Sequence, residues 1–231
     1  MNVAVFHGSP RKGNTYRTTK IFMEALSACG EVHFTEFYLP QALPAFCTGC
    51  QLCLSGSHEK CPHSQYVTPI LEAILHADAL VLTTPHYGAC SMSGGMKNLL
   101  DHLDFLTLVV APRKELFQKK AMLISTGSGA VSALKPIQKY LKNWGMNRVF
   151  ALGLRMFTNQ WVKLPNAKQT KFEHRLQRAA RKFYRAPKGW PYPSTVFMYY
   201  VSKMILKTYI GKGAYPYEHW QAQGYFKRRP F

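Results

Sequence analysis

The sequence predicts an α/β fold built on a doubly wound, five-stranded parallel sheet, and three observations predict it. Short apolar runs alternate with longer amphipathic stretches through residues 2–184, the pattern of strand–helix units that feed a parallel sheet. The run Ala79–Thr84 is apolar at almost every position, as a strand covered on both faces should be. Turn-forming residues crowd the segments after the first, third and fourth runs, and in open α/β sheets ligands bind outside the carboxyl ends of the strands.

The elements follow in order. The first strand is read at about 2–8, with Val3, Ala4, Val5 and Phe6 as its apolar body, and a helix follows over about 15–28, ending near Gly30. Period-two alternation at Val32 and Phe34, with Phe37 a further apolar position, places the second strand at about 31–39. A long loop, 40–64, holds Pro40, Pro44, Pro62 and four cysteines, and the second helix is about 66–77. The third strand leads through a Gly/Ser-rich loop, 85–95, into a helix over about 95–106. Strand four is Lys120–Ser125, followed by Thr126-Gly-Ser-Gly129 and a helix over about 131–144 that stops at Gly145. Strand five is Val149–Leu154, and a helix over about 166–184 ends the alternation. Residues 1–184 are therefore read as one domain, and 185–231 as an aromatic and basic C-terminal extension that packs on the core or on a second subunit, with a sixth helix near Val196–Ile210.

The chain has 231 residues and 47% hydrophobic composition, enough for one full core. It starts directly with a strand, with no basic leader or cleavage site, and no segment reaches about 18 uninterrupted apolar residues. The expectation is a cytoplasmic protein without a transmembrane segment. The formal charge of +19 is uneven: residues 1–120 balance near +1 and residues 121–231 carry +18. That asymmetry suits an anionic partner, and equally a solvated basic surface with none. Nucleic-acid binding has charge behind it and no motif.

The segment after strand one, Gly8-Ser-Pro-Arg-Lys-Gly-Asn-Thr15, breaks a strand into a helix through small and turn-forming residues. Backbone N–H groups at such a helix start, with the helix dipole, form an anion site. Ser9, Asn14 and Thr15 add side-chain donors, and Arg11 and Lys12 add charge. The pattern is neither GxGxxG nor GxxxxGK[ST]; read alone it is equally a plain strand–helix turn with a cap. After strand three, Pro85 starts a turn and Tyr87 and Gly88 offer an aromatic face and close backbone approach. After strand four, Thr126, Gly127 and Ser128 offer a second backbone cradle. All three loops converge on one crevice.

The cysteines Cys47, Cys50, Cys53 and Cys61 form a C-x2-C-x2-C run with a fourth thiol eight residues on. In a reducing compartment this spacing favours a metal or cluster over disulfides. Thiolate-only ligation suits [4Fe–4S] or Zn²⁺, and free or redox-active thiols are the alternative. Cys29 and Cys90 read as buried small hydrophobes.

Taken in order, Gly8–Thr15, Cys47-x2-Cys50-x2-Cys53-x7-Cys61, Pro85-His-Tyr87 and Ser93-Gly-Gly-Met-Lys-Asn98 with Asp101 resemble the flavodoxin-like NAD(P)H-dependent FMN reductases, and in particular their iron–sulfur flavoprotein branch, over about residues 2–155. The resemblance implies a flavodoxin-like fold with FMN as cofactor. Ser9, Arg11, Asn14 and Thr15 would hold its phosphate, Pro85, His86, Tyr87 and Gly88 would border the ring, and Thr126, Gly127 and Ser128 would lie on the ring's other side. Backbone N–H groups along the ring edge would stabilise its reduced form. No proton-transfer residue is required; His86 is the one candidate for a catalytic role there, and reads equally well as a loop residue. The cysteines resemble the cluster motif of that branch, although Ser64-Gln-Tyr66 stands where the branch carries an acidic pair.

The resemblance implies an FMN-dependent oxidoreductase taking hydride from NAD(P)H and passing electrons to a small acceptor such as a flavin or quinone. The second reading is an electron carrier with FMN and [4Fe–4S], exchanging single electrons with a ferredoxin-like partner. A homodimer or tetramer is expected. The aromatic tail beside Lys203 and Lys207 also has the composition of a helix that touches a membrane surface.

Overall fold

In the computed structural model, which describes residues 1–88, 91–187 and 189–231, every sheet neighbour runs parallel. The elements are β1 (Asn2–His7), α1 (Asn14–Ser27), β2 (His33–Tyr38), α2 (Leu39–Ala42), α3 (Ser64–His76), β3 (Ala79–Pro85) and α4 (Gly94–His102). They continue as α5 (Lys114–Gln118), β4 (Lys120–Gly127), α6 (Ala130–Asn143), β5 (Arg148–Arg155), α7 (Asn166–Arg185), α8 (Pro193–Ile205) and α9 (Tyr215–Ala222). The strand order is β2-β1-β3-β4-β5. This is the flavodoxin-like order, in which winding reverses direction between β1 and β3.

Alternation along the strands splits the core into two layers. Ala4, Phe6, Leu80, Leu82, Ala121 and Leu123 face α3, α4 and α6, while Val3, Val5, Val81, Met122 and Ile124 face α1 and α7. Each helix answers with a stripe at helical spacing, such as Ala130, Ala133, Leu134, Ile137 and Leu141 on α6 and Phe172, Leu176, Ala180 and Phe183 on α7. On the α1/α7 side, Phe22 and Phe183 meet edge to face, with ring centroids 5.9 Å apart.

The entry to β4 fixes both layers at once. Lys119 and Lys120 point to opposite faces, as successive strand residues must. Lys119 donates through Nζ to the carbonyls of Leu75 and Ala77 at the end of α3. Lys120 donates to Phe183, Tyr184 and Ala186 at the end of α7. Two helix C-termini thus receive the cation that their unpaired carbonyls and dipole favour. Burial pulls both ammonium groups below their ordinary pKa.

The predicted strands and long helices correspond to observed elements with ends shifted by a few residues. Among the described residues, three α-helices lie outside the predicted ones. α2 and α5 are too short to show a period, and α9 carries Pro216 in its first turn and is mostly aromatic and polar. Among the described residues, no helix is long and apolar enough to cross a membrane.

The C-terminal residues fold back on the loop around 105–117. Trp220, fully buried, stacks on Tyr199 and donates through Nε1 to Leu108 O at 3.0 Å. The Tyr199 hydroxyl donates to Tyr225 O at 2.7 Å, and Phe231 reaches Phe117. Helix α8 buries Thr195 and Ser202 beside Tyr199 with their hydroxyls unpartnered, while Phe197, Tyr200 and Met204 face solvent. A short π-type turn, Leu206–Ile210, extends it and exposes Tyr209.

Trp220→Ala should cost about 3–5 kcal/mol, the usual range for deleting a buried tryptophan. Urea denaturation reads it, and a loss below about 1 kcal/mol would show that the tail is held elsewhere.

Acid should weaken the fold through its buried imidazoles. Burial holds His7 and His219 below the ordinary value of 6.5, an effect that the Glu36 carboxylate only partly offsets at His7. The unfolded chain therefore binds more protons than the folded one from pH 6.5 downward, so stability is intact above 6.5 and falls below it. Glu36 adds to the loss further down. Burial alone would raise its pKa, but hydrogen bonds from Lys20 and His7 bring it below 4.5. The urea midpoint is expected to be lower at pH 5 than at pH 7.5, with a smaller drop in His7→Gln.

Candidate functional site

At the carboxyl ends of β1, β3, β4 and β5 lies a cleft of about 640 Å³, within the range of small-molecule sites. Its first wall is the turn from β1 to α1. Gly8 N–H donates to Thr83 O at 2.7 Å, and a Cβ on Gly8 would stand 2.7 Å from both Thr83 O and Ser93 Oγ. Only glycine lets the first loop cross the third strand so closely. Ser9 then closes a small turn: its hydroxyl accepts from Arg11 N–H and donates to Arg11 O, both at 3.2 Å.

Helix α1 opens on the cleft with Gly13 at its N-cap and no side-chain cap. Its first-turn N–H groups are therefore available to a ligand. Asn14 and Thr15, read from sequence as ligand donors, use their side chains to join the walls. Asn14 Nδ2 donates to Thr158 O at 2.7 Å and contacts Met156 Sδ at 3.1 Å. Thr15 Oγ1 lies 2.7 Å from Thr126 Oγ1. The helix start is thereby tied to the ends of β4 and β5.

The second wall comes from the loops after β3 and β4. His86 N–H donates to Thr126 O at 2.9 Å, which pins the two loops side by side. The His86 ring lies over the glycines of the neighbouring loop: a Cβ on Gly127 would be 2.8 Å from His86 Cβ, and one on Gly129 would be 2.3 Å from His86 Nε2. Ser128 Oγ is 3.5 Å from His86 Nδ1. Gly127 also holds φ +131, which favours glycine. Pro85, Tyr87 and Ser128 complete this side of the cleft.

Of the eleven residues predicted to hold a cofactor, ten line the cleft; Gly88 does not. The described lining holds Arg11 and Lys12 and no carboxylate. Sequence reading missed the loop after β5, where Met156, Phe157, Thr158, Asn159 and Gln160 form the remaining wall. The available signal was position alone: the segment follows the carboxyl end of a strand, as the other three loops do. An uncapped helix start with a cationic rim fits the phosphate of FMN, and the cleft is large enough for its ring.

The cysteine loop lies against α4. Asn98 clamps it, accepting from Cys47 N–H at 3.1 Å and donating to Leu43 O and Ala45 O. Cys47 and Cys50 are exposed and Cys53 and Cys61 half-buried. Burial, with the thiols of Cys47, Cys50 and Cys61 nearby, pushes the Cys53 pKa up. Cys61 stands with His63 and His102, their donor atoms all within 4.8 Å of one another. Cys61, near enough to Cys53 to raise its pKa, thus also stands beside a pair of imidazoles. Cys29, expected to be buried, is half-buried and donates to Ala25 O. Cys90 lies outside the described residues.

Comparison with known proteins follows this geometry. A curated iron-sulfur flavoprotein from Archaeoglobus fulgidus is 30% identical over 105 residues, which is 44% of this chain and 48% of that protein. The match thus spans about half of that relative's length. Among solved structures, the NAD(P)H:quinone oxidoreductase of Methanothermobacter marburgensis superposes with TM-score 0.61 at 17% identity, covering 80% of this chain and 98% of its own. An apo NADH:FMN oxidoreductase gives TM-score 0.55 at 20% identity, covering 84% and 92%. An FMN-dependent NADH-azoreductase from Bacillus anthracis, solved with FMN, gives 0.57 at 10% identity, covering 80% and 99%. At these identities the structures speak to the fold. The sequence model of the NADPH-dependent FMN reductase family matches residues 1–162, which hold the whole parallel sheet and all four cleft loops, and the chain belongs to that family.

Proposed function

We propose that the cleft binds FMN and that the protein passes reducing equivalents from NAD(P)H to a small acceptor such as a flavin or quinone. The observation that carries this reading is the uncapped start of α1, opening between Arg11 and Lys12 into a cleft whose described lining has no carboxylate. First-turn N–H groups and the two cations would take the phosphate, with the Ser9 hydroxyl holding the turn that presents them. The Asn14–Thr158 and Thr15–Thr126 bonds hold that helix start rigid. The backbone of the β3 and β4 loops, set by the His86–Thr126 bond, would face the ring edge. Bound flavin supplies two-electron acceptance from a nicotinamide and one- or two-electron delivery. The quinone and FMN reductases of similar fold lend support to this class of acceptor.

Fluorescence titration of flavin-free protein is expected to saturate at one FMN per chain. Arg11→Ala should weaken FMN binding about tenfold, a loss of about 1.4 kcal/mol, and leave binding of riboflavin, which has no phosphate, unchanged. Equal losses for both ligands would place the phosphate elsewhere, and no uptake of FMN would end the proposal. Anaerobic reduction by NADPH or NADH separates the reductase from an electron carrier, which only a ferredoxin-like protein would reduce.

The outward aromatics of α8 favour the expected homo-oligomer, since monomers seldom leave such a patch bare. Light scattering should give a mass above one chain, reduced in Phe197→Glu. A monomer that binds anionic vesicles would assign the face to a membrane surface instead.

A further inference from the structure

The cysteine loop and α4 bring together three ligand atoms that the flavin reading does not use. Cys61 precedes α3 by three residues, His63 is its N-cap, and His102 is the last residue of α4. His63 Nδ1 and His102 Nε2 are 3.0 Å apart. Two imidazole nitrogens on one tetrahedral zinc stand about 3.3 Å apart, from Zn–N bonds of about 2.0–2.1 Å. The pair is therefore already close to a ligand edge, and the Cys61 thiol completes a triangle of donors within 4.8 Å.

The deepest of the three ligands is also held in orientation. His102 is buried, and its Nδ1–H donates to Asn98 O at 2.9 Å. That bond directs its Nε2 lone pair toward the group and fixes the ring, the arrangement that metal-binding histidines favour. Asn98 therefore serves twice. Its side chain holds the cysteine loop, and its carbonyl orients the deepest ligand.

We infer that Cys61, His63 and His102 form a binding site for one Zn²⁺ ion, which joins the cysteine loop to α4 and leaves a fourth coordination position open. One thiolate and two neutral imidazoles suit this borderline cation. In the free protein, with His102 Nδ1–H held by Asn98, the His63 Nδ1–H donates to His102 Nε2. On binding, Cys61 loses its thiol proton to solvent and His63 moves its proton to Nε2, so one proton leaves per zinc. No electron is transferred, and the site operates whether or not the cleft binds flavin.

The test is calorimetric titration of the full-length, reduced, chelator-treated protein with Zn²⁺ alone. One ion per chain is expected, with affinity lowered at least tenfold in Cys61→Ser and in His63→Ala. Cys50→Ser should bind as the parent does. His63 is the main probe because it is half-buried, whereas replacing buried His102 puts folding at risk. Urea denaturation of the variants without metal checks that they remain folded. Co²⁺ loading gives an independent readout, a thiolate-to-metal absorption band that disappears in Cys61→Ser. No zinc uptake by the parent would overturn the proposal. So would equal loss in Cys50→Ser and Cys61→Ser, or acid-labile sulfide with about four irons per chain held by the four cysteines.

Discussion

Everything at the candidate site depends on the reversal of winding between β1 and β3. The two strands are hydrogen-bonded neighbours from Val3–Ala79 to His7–Thr83, yet the chain leaves them for opposite faces of the sheet, β1 for α1 and β3 for α4. The loops at their carboxyl ends must therefore part, and the gap between them becomes a cleft. Gly8 is where this constraint is tightest: the first loop passes so close to Thr83 and Ser93 that a side chain would not fit.

The cleft is then held open by polar ties rather than filled by apolar residues. The Thr15–Thr126 and Asn14–Thr158 bonds join the α1 start to the ends of β4 and β5, and the His86–Thr126 bond joins the β3 and β4 loops. These bonds leave backbone N–H groups and cations facing the opening, a surface that favours an anion. The two layers beneath supply rigidity. The paired lysines at the start of β4 cap one helix on each face, so the sheet and both helical layers are registered by a single strand entry.

The cysteine loop occupies a separate position. Asn98 on α4 anchors it, and its fourth cysteine is drawn toward histidines from two elements. The sulfur-rich region and the cleft flank the same helix: α4 is capped by Ser93, which bonds Thr84 at the end of β3, and ends at His102.

The sequence by itself determined the parallel sheet and three of the four loops that line the cleft, while the strand order β2-β1-β3-β4-β5 is set by pairing between distant segments. The sheet and the loops rest on local properties: apolar runs, helical period and turn residues lie within a few positions of each other. It did not reveal the β5 loop, because Met156–Gln160 carries no motif and becomes part of a site only when β5 is placed beside β4. Nor did it show that Asn14 and Thr15 bind the neighbouring walls, since their partners lie more than a hundred residues away. The four cysteines were legible as a set by spacing, but the company of Cys61 was not. His102 joins it from another element, brought there by helix packing against the sheet, and only the tertiary structure decides which distant donors meet.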